Sequence, residues 1–179
     1  ALLGMLGIRD LLVVPARTEE AGWPGLPPAE LVTRLSGAKA EEVAARLMDA
    51  DTVVIGADTV VVLDGRILGK PRDKREAVGM LTALSGREHR VYTGVTVLGG
   101  DARRQSGAEE TAVRFRALTQ REIHAYVETG EPMDKAGAYG VQGLASLFVE
   151  GIRGDFFNVV GLPLCRLGIM LRKAGVELF

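Results

Sequence analysis

A β-branched run that stops at a Gly-Ala pair delivers a single carboxylate in Ile55-Gly56-Ala57-Asp58-Thr59-Val60-Val61, and a lysine follows in Gly69-Lys70-Pro71. An acid at a strand end can hold a divalent cation or orient a water, and a lysine flanked by Gly and Pro can reach phosphate oxygens from a stiff turn. This is the layout of a site for phosphate and a metal. It is also the layout of an ordinary strand, hairpin and helix start, since Asp after a strand is common turn punctuation.

Other residues carry chemistry that composition alone leaves open. Glu19 and Glu20 sit together; beside Asp58 they could hold Mg²⁺ or Mn²⁺ against a polyphosphate, and on an exposed loop they are a solvated charge run. Lys39 interrupts an Ala-Leu-Val helix face, where its stem could snorkel to solvent. The stretch from Lys135 to Gly143 packs three glycines, Tyr139 and Gln142 into nine positions. Glycines there would let backbone N–H groups approach a ligand, and a Gln amide can pair with a base edge while Tyr packs beside it. His89 reads as structural or surface in preference to catalytic, and Asp155 and Asn158 read as turn residues before the last helix. Gly-Lys-Pro lacks the preceding glycine pattern of a Walker loop, and no mononucleotide fingerprint occurs elsewhere.

Composition narrows the classes further. At 179 residues the expectation is one domain around one core. An apolar share of 47% with 25% charged residues suits a soluble globular protein, and no apolar run approaches the roughly twenty residues needed to span a bilayer. The formal charge of −1, from 22 basic and 23 acidic residues, gives no whole-protein field to draw in long nucleic acids. Two histidines, His89 and His124, and the lone Cys165 leave little material for a tetrahedral zinc site or a thiol–histidine pair, so a metal should be oxygen-ligated. The single cysteine and the lack of a basic, apolar leader point to the cytoplasm.

The elements that must position these residues follow from periodicity and punctuation. The chain opens on an apolar helical pattern ending at Gly7, and Leu11 to Pro15 reads as a short strand before a Pro- and Gly-rich loop from Ala16 to Pro28. Pro28 starts a helix running to about Met48. Thr52 to Gly56 and Thr59 to Leu63 read as two strands, and Asp64-Gly65 is a hairpin turn into Arg66-Ile67-Leu68. A helix over Lys74 to Leu84 follows Asp73 and closes at Ser85-Gly86. Arg90 to Leu98 and Thr111 to Phe115 read as paired strands, and Thr119-Gln120-Arg121-Glu122 is a capping box for a helix to Thr129. Leu144 to Glu150 reads as a strand and Leu162 to Lys173 as the closing helix, with Pro163 in its first turn.

Taken jointly, IGADTVV, GKPRD, LSGREH leading into YTGV, EPMDKAGAYGVQG and GDFFNVVGLPL resemble the Maf family of nucleoside triphosphate pyrophosphatases, over nearly the whole chain and in one order. The resemblance implies an α/β, two-lobed mixed-sheet fold of the Maf and inosine triphosphatase type with a central nucleotide cleft, and hydrolysis of a nucleoside triphosphate to monophosphate and pyrophosphate. By position, Asp58 looks like the acid that binds the metal or activates water and Glu20 like the loop acid, with Glu19 its alternative. Lys39 and Lys70 resemble the phosphate-binding lysines, Thr59 joins the substrate-binding residues, and Gln142 resembles the base-side amide. This form of the glycine-rich loop is similar to the branch acting on dTTP and UTP. The resemblance further implies a divalent cation, Mg²⁺ or Mn²⁺, a nucleoside triphosphate as the principal partner, and leaves a homodimer open. The expectation that ties these together is convergence of Glu20, Lys39, Asp58 and Lys70 on one groove.

Members of the family begin with a strand and a Ser-Pro-Arg-Arg segment, whereas this chain starts inside the helix that follows, at Ala1-Leu2-Leu3. The expected organisation is a single Maf-like domain over residues 1–179 without that strand and the Ser-x-Arg-Arg segment, either because the sequence starts late or because the anion clamp is lacking. Arg–phosphate contacts of about 1.5–3 kcal/mol each are at stake. Two rival readings follow: a catalytically impaired nucleotide-binding or cell-division regulatory protein, and an inosine or xanthosine triphosphate pyrophosphatase.

Overall fold

Pro28, whose fixed φ suits the first residue of a helix, opens helix α1 (Pro28–Leu47) in the computed structural model, which describes residues 2–8, 11–18, 23, 25–47, 52–99 and 104–178. Glu30 in the first turn and Arg46 in the last complement the helix dipole. Strand β1 (Val54–Leu63) runs into the Asp64-Gly65 turn and returns as β2 (Arg66–Leu68), with Val61 opposite Leu68 and Leu63 opposite Arg66. Both turn residues have positive φ, 50° and 75°, the two-residue geometry that matches strand twist. Helix α2 (Lys74–Leu84) is capped by Asp73, which accepts from the Glu76 N–H at 2.8 Å. Strands β3 (Glu88–Leu98) and β4 (Arg104–Phe115) follow, then helix α3 (Gln120–Glu128), strand β5 (Val149–Arg153), and helices α4 (Phe156–Val160) and α5 (Leu164–Lys173). The strands form one sheet in the order β2-β1-β3-β4-β5, and its outer pairs, β1 with β2 and β4 with β5, are antiparallel. This is the expected mixed α/β class.

The chain divides into two compact units, Ala1–Asp58 with Thr93–Glu109 and Gly161–Phe179, and Thr59–Tyr92 with Glu110–Val160. In the first, α1 buries Val32, Leu35, Ala40 and Val43 at helical spacing. Its backbone lies close to the sheet, because a Cβ on Gly56 would stand 2.3 Å from the Ser36 carbonyl oxygen and one on Gly94 2.0 Å from that of Val32. Only glycine allows that approach. Ser36, Thr96 and Ser106 join α1, β3 and β4 through hydroxyl contacts of 3.0 and 2.9 Å, so the polar groups buried under the helix are satisfied.

The second unit is built on a core of Val61, Leu81, Leu84, Val113, Phe115, Ile123 and Val127, among others. Helix α3 carries the predicted capping box, with the Thr119 hydroxyl accepting from the Glu122 N–H and the Glu122 carboxylate accepting from the Thr119 N–H at 2.8 Å. Edge-to-face rings run through this core: His89 to Phe115 at 5.0 Å, Phe115 to Tyr139 at 4.8 Å, and Tyr126 to Phe148 at 5.1 Å.

Several expectations need correction. Leu11 to Pro15 forms no strand; Leu12 and Val13 are 76% and 87% exposed, and an apolar run becomes a strand only where a neighbour pairs with its backbone. One strand, β1 from Val54 to Leu63, replaces the two expected over Thr52–Gly56 and Thr59–Leu63, because Gly56 answers the approach of α1 and breaks nothing. Leu144 to Phe148 is a 3₁₀ turn, and the strand begins at Val149. Strands β3 and β4 begin earlier than alternation suggests, at Glu88 and Arg104. Asn158 is a buried residue of α4, not a turn residue: its amide donates to the Val91 carbonyl at 3.1 Å and the Thr111 hydroxyl at 2.9 Å.

Candidate active site

Asp58 owes its setting to Gly56. The two share a face of β1, since strand side chains alternate with period two, and Gly56 lets α1 press its Ser36-to-Ala40 turn onto that face. Lys39 lies in that turn. Its ammonium donates to Asp58 Oδ1 at 2.5 Å, with side-chain exposures of 22% for Lys39 and 8% for Asp58. Lys39 is therefore engaged with the acid and is not merely snorkelling. A carboxylate this far out of water is retained only where a cation or hydrogen bonds compensate it, and here a cation does. Thr59, the next residue, is half-buried on β1 and begins the second unit.

Lys70 and Gln142 belong to the second unit. Lys70 is exposed after β2, and the carbonyl of the preceding Gly69 accepts from the Gly137 N–H at 3.0 Å, which ties the Lys70 turn to the glycine-rich loop. Gly137 has φ 67°, and a Cβ there would meet the Val61 side chain at 2.9 Å, so this position admits only glycine. The Lys135 ammonium, at 2.6 Å, holds the Asp134 carboxyl below its ordinary value, and Lys70 adds to this. Gln142 is exposed in a turn closed by the Gly143 N–H on the Gly140 carbonyl at 3.0 Å. Glu19 and Glu20 lie outside the described residues.

Tyr139 departs from its expected place beside a base. It is buried, and its hydroxyl meets His89 Nε2 at 2.8 Å. His89 is itself 2% exposed, its Nδ1 has no hydrogen-bond partner, and burial pushes its pKa down to about 4. It is a neutral core residue, which agrees with the structural reading. Sequence reasoning gave no role to Glu131 or Tyr126. The Tyr126 hydroxyl donates to Glu131 Oε1 at 3.0 Å, and Glu131 Oε2 accepts from the Leu144 N–H at 3.0 Å. The available signal was a charged residue directly before Pro132, inside the motif that carries the loop.

The donor set bears on a metal. Among the described residues no three His, Cys, Asp or Glu side chains gather as a metal cage. The Asp58 carboxylate is a hard oxygen donor, and magnesium is commonly held through one or two carboxylates together with waters and substrate phosphates. The residues present fit a cation of that kind and do not fit a structural zinc.

The profile of the family described as "Maf-like protein" matches residues 1–174. The chain belongs to the Maf family. Three relatives illustrate the likeness, each named a dTTP/UTP pyrophosphatase. The protein from Pelotomaculum thermopropionicum is 53% identical over 175 residues, covering 97% of this chain and 90% of the relative. That from Symbiobacterium thermophilum is 51% identical over 178 residues, with coverages of 99% and 90%. That from Thermococcus gammatolerans is 51% identical over 172 residues, with coverages of 95% and 88%. Among the described residues no helix is long and apolar enough to cross a membrane.

Proposed function

We propose that this Maf-family chain hydrolyses dTTP and UTP to the monophosphate and pyrophosphate. The observation that carries the reading is near-full-length identity of about half to relatives with that name, in a chain whose Lys39–Asp58 pair suits the chemistry. In this reading a water oriented by Asp58 or Glu20 attacks the α-phosphorus and passes its proton to the carboxylate. The bond from the α-phosphorus to the bridging oxygen breaks, and pyrophosphate leaves. Lys39 and Lys70 offset the charge that builds on its oxygens, worth most where water is excluded. Asp58, with Glu20, would hold Mg²⁺ or Mn²⁺, which supplies Lewis-acid polarisation of the phosphoryl group. Thr59 and Gln142 serve on the substrate side, Gln142 towards the base.

The test measures pyrophosphate release from dTTP, UTP, dCTP and dITP with Mg²⁺ or Mn²⁺, for wild type and Asp58→Asn. Wild type is expected to prefer dTTP and UTP, and the variant to lose about 10²-fold or more in turnover. Equal turnover by the two proteins would remove Asp58 from the chemistry, and preference for dITP would overturn the substrate class.

A further inference from the structure

Gln142 sits at the third position of a four-residue turn, Gly140 to Gly143, and both ends of that turn lead back to one carboxylate. At the far end the Leu144 N–H donates to Glu131 Oε2 at 3.0 Å. At the near end the Gly140 N–H donates to the Tyr126 hydroxyl oxygen at 3.4 Å, and that hydroxyl donates to Glu131 Oε1 at 3.0 Å. The Glu131 N–H in turn donates to the Thr129 hydroxyl at 3.2 Å. The carboxylate also fills the space above the turn, since a Cβ on Gly143 would stand 2.2 Å from Oε1 and 2.6 Å from Oε2. Gly143 is thus small because Glu131 lies against it. The clamp has a firm base, for Tyr126 is buried with its ring edge-to-face on Phe148.

We propose that Glu131, acting through Tyr126 and the Leu144 amide, is the positioning residue that presets the Gln142 turn for the pyrimidine base of the substrate. The inference rests on Gln142 acting on the base side. A side-chain amide discriminates thymine or uracil from cytosine only if its oxygen and nitrogen are held in one orientation, because the exocyclic groups of these bases exchange acceptor for donor. A turn tied at one end only would let the amide swing and accept either base. An ionised acceptor bound at both ends holds it, since hydrogen bonds to a charged group are the strong ones. The Glu131→Gln amide keeps the size but carries no charge and leaves one acceptor oxygen where the carboxylate has two, so the bond to the Tyr126 hydroxyl must reverse and both ties lose their charge assistance.

The experiment compares kcat/KM for dTTP and dCTP in wild type, Glu131→Gln, Tyr126→Phe and Gln142→Ala, with thermal unfolding and amide hydrogen exchange on each. Positioning predicts that Glu131→Gln and Tyr126→Phe both shrink the dTTP-to-dCTP ratio by roughly tenfold, the scale of one lost charge-assisted hydrogen bond. It also predicts faster exchange at Leu144 in Glu131→Gln. Tyr126→Phe, which removes one oxygen and leaves the ring packed, carries the test if Glu131→Gln does not fold. If Gln142→Ala collapses the ratio while both clamp variants keep it, or lower both substrates equally, the positioning role is overturned and the base-side reading of Gln142 stands. If Gln142→Ala keeps the ratio, the base-side reading falls and the proposal with it. Wild type without turnover of either triphosphate overturns the proposal together with the pyrophosphatase reading.

Discussion

Burial of His89 should make the protein lose stability on mild acidification by an amount that can be worked out in advance. Its imidazole is 2% exposed between Phe115 at 5.0 Å and Tyr139 at 5.4 Å, and burial takes its pKa from 6.5 to about 4. The folded chain therefore refuses a proton that the unfolded chain accepts. Stability from this group is complete above the unfolded pKa of 6.5, falls by about 1.36 kcal/mol per unit as pH drops toward 4, and levels off below that. Between pH 7 and pH 5 the loss is about 2 kcal/mol, and the full loss is about 3 kcal/mol. The assay is urea unfolding followed by circular dichroism at pH 7, 6 and 5, for wild type and His89→Gln. Carboxylates contribute equally to both proteins, so the difference in slope isolates the histidine. Wild type should lose about 2 kcal/mol more than the variant over this range. Parallel pH dependences, or an imidazole in the folded protein that titrates near 6.5 by NMR, would refute the reasoning.

Other consequences are open to measurement. Lys39→Met strips the cation from a carboxylate that is 8% exposed; it should cut turnover by about 10²-fold, and a variant with wild-type kcat/KM would dismiss the pair from catalysis. Gly56→Ala sets a Cβ 2.3 Å from the Ser36 carbonyl oxygen, so denaturant unfolding should report a loss of about 1–3 kcal/mol as α1 is forced off the sheet, with turnover falling alongside. Chelation by EDTA should abolish pyrophosphate release, and Mg²⁺ or Mn²⁺ should restore it; activity that persists through chelation and dialysis would exclude the cation. Thr119→Ala opens the capping box and should cost about 1 kcal/mol in unfolding free energy while leaving KM for dTTP unchanged.

Local chemistry made much of the architecture legible. Asp64-Gly65, Asp73 with Glu76 and Thr119 with Glu122 each specify a turn or a cap by interactions within a few residues, and each occurs where the sequence places it. The apolar spacing of α2 likewise fixes the face that buries Ala77, Leu81 and Leu84. The errors fall where a residue's meaning depends on a distant neighbour. Gly56 reads as a strand breaker until α1 is seen against it, Leu144 to Phe148 reads as a strand although its backbone closes into a 3₁₀ turn, and Leu11 to Pro15 has strand composition without strand structure.

The same division runs through the candidate site. Residue types marked Asp58, Lys39, Lys70 and Gln142 as able to serve phosphate chemistry, which asks for an acid, amines and an amide on glycine-lined turns, and the resemblance to the Maf family gave them their expected roles. Which of them meet is a matter of packing. Lys39 reaches Asp58 because Gly56 lets the Ser36-to-Ala40 turn of α1 lie close to β1, and Tyr139 turns inward to His89 where a loop tyrosine was expected beside a base. Glu131 gained its place only when the chain brought Tyr126 and Leu144 to the two oxygens of one carboxylate. Spacing along a chain encodes hydrogen bonds that close within a turn of helix or hairpin, whereas contacts between elements depend on how closely backbones approach, and that distance is set by the folded whole.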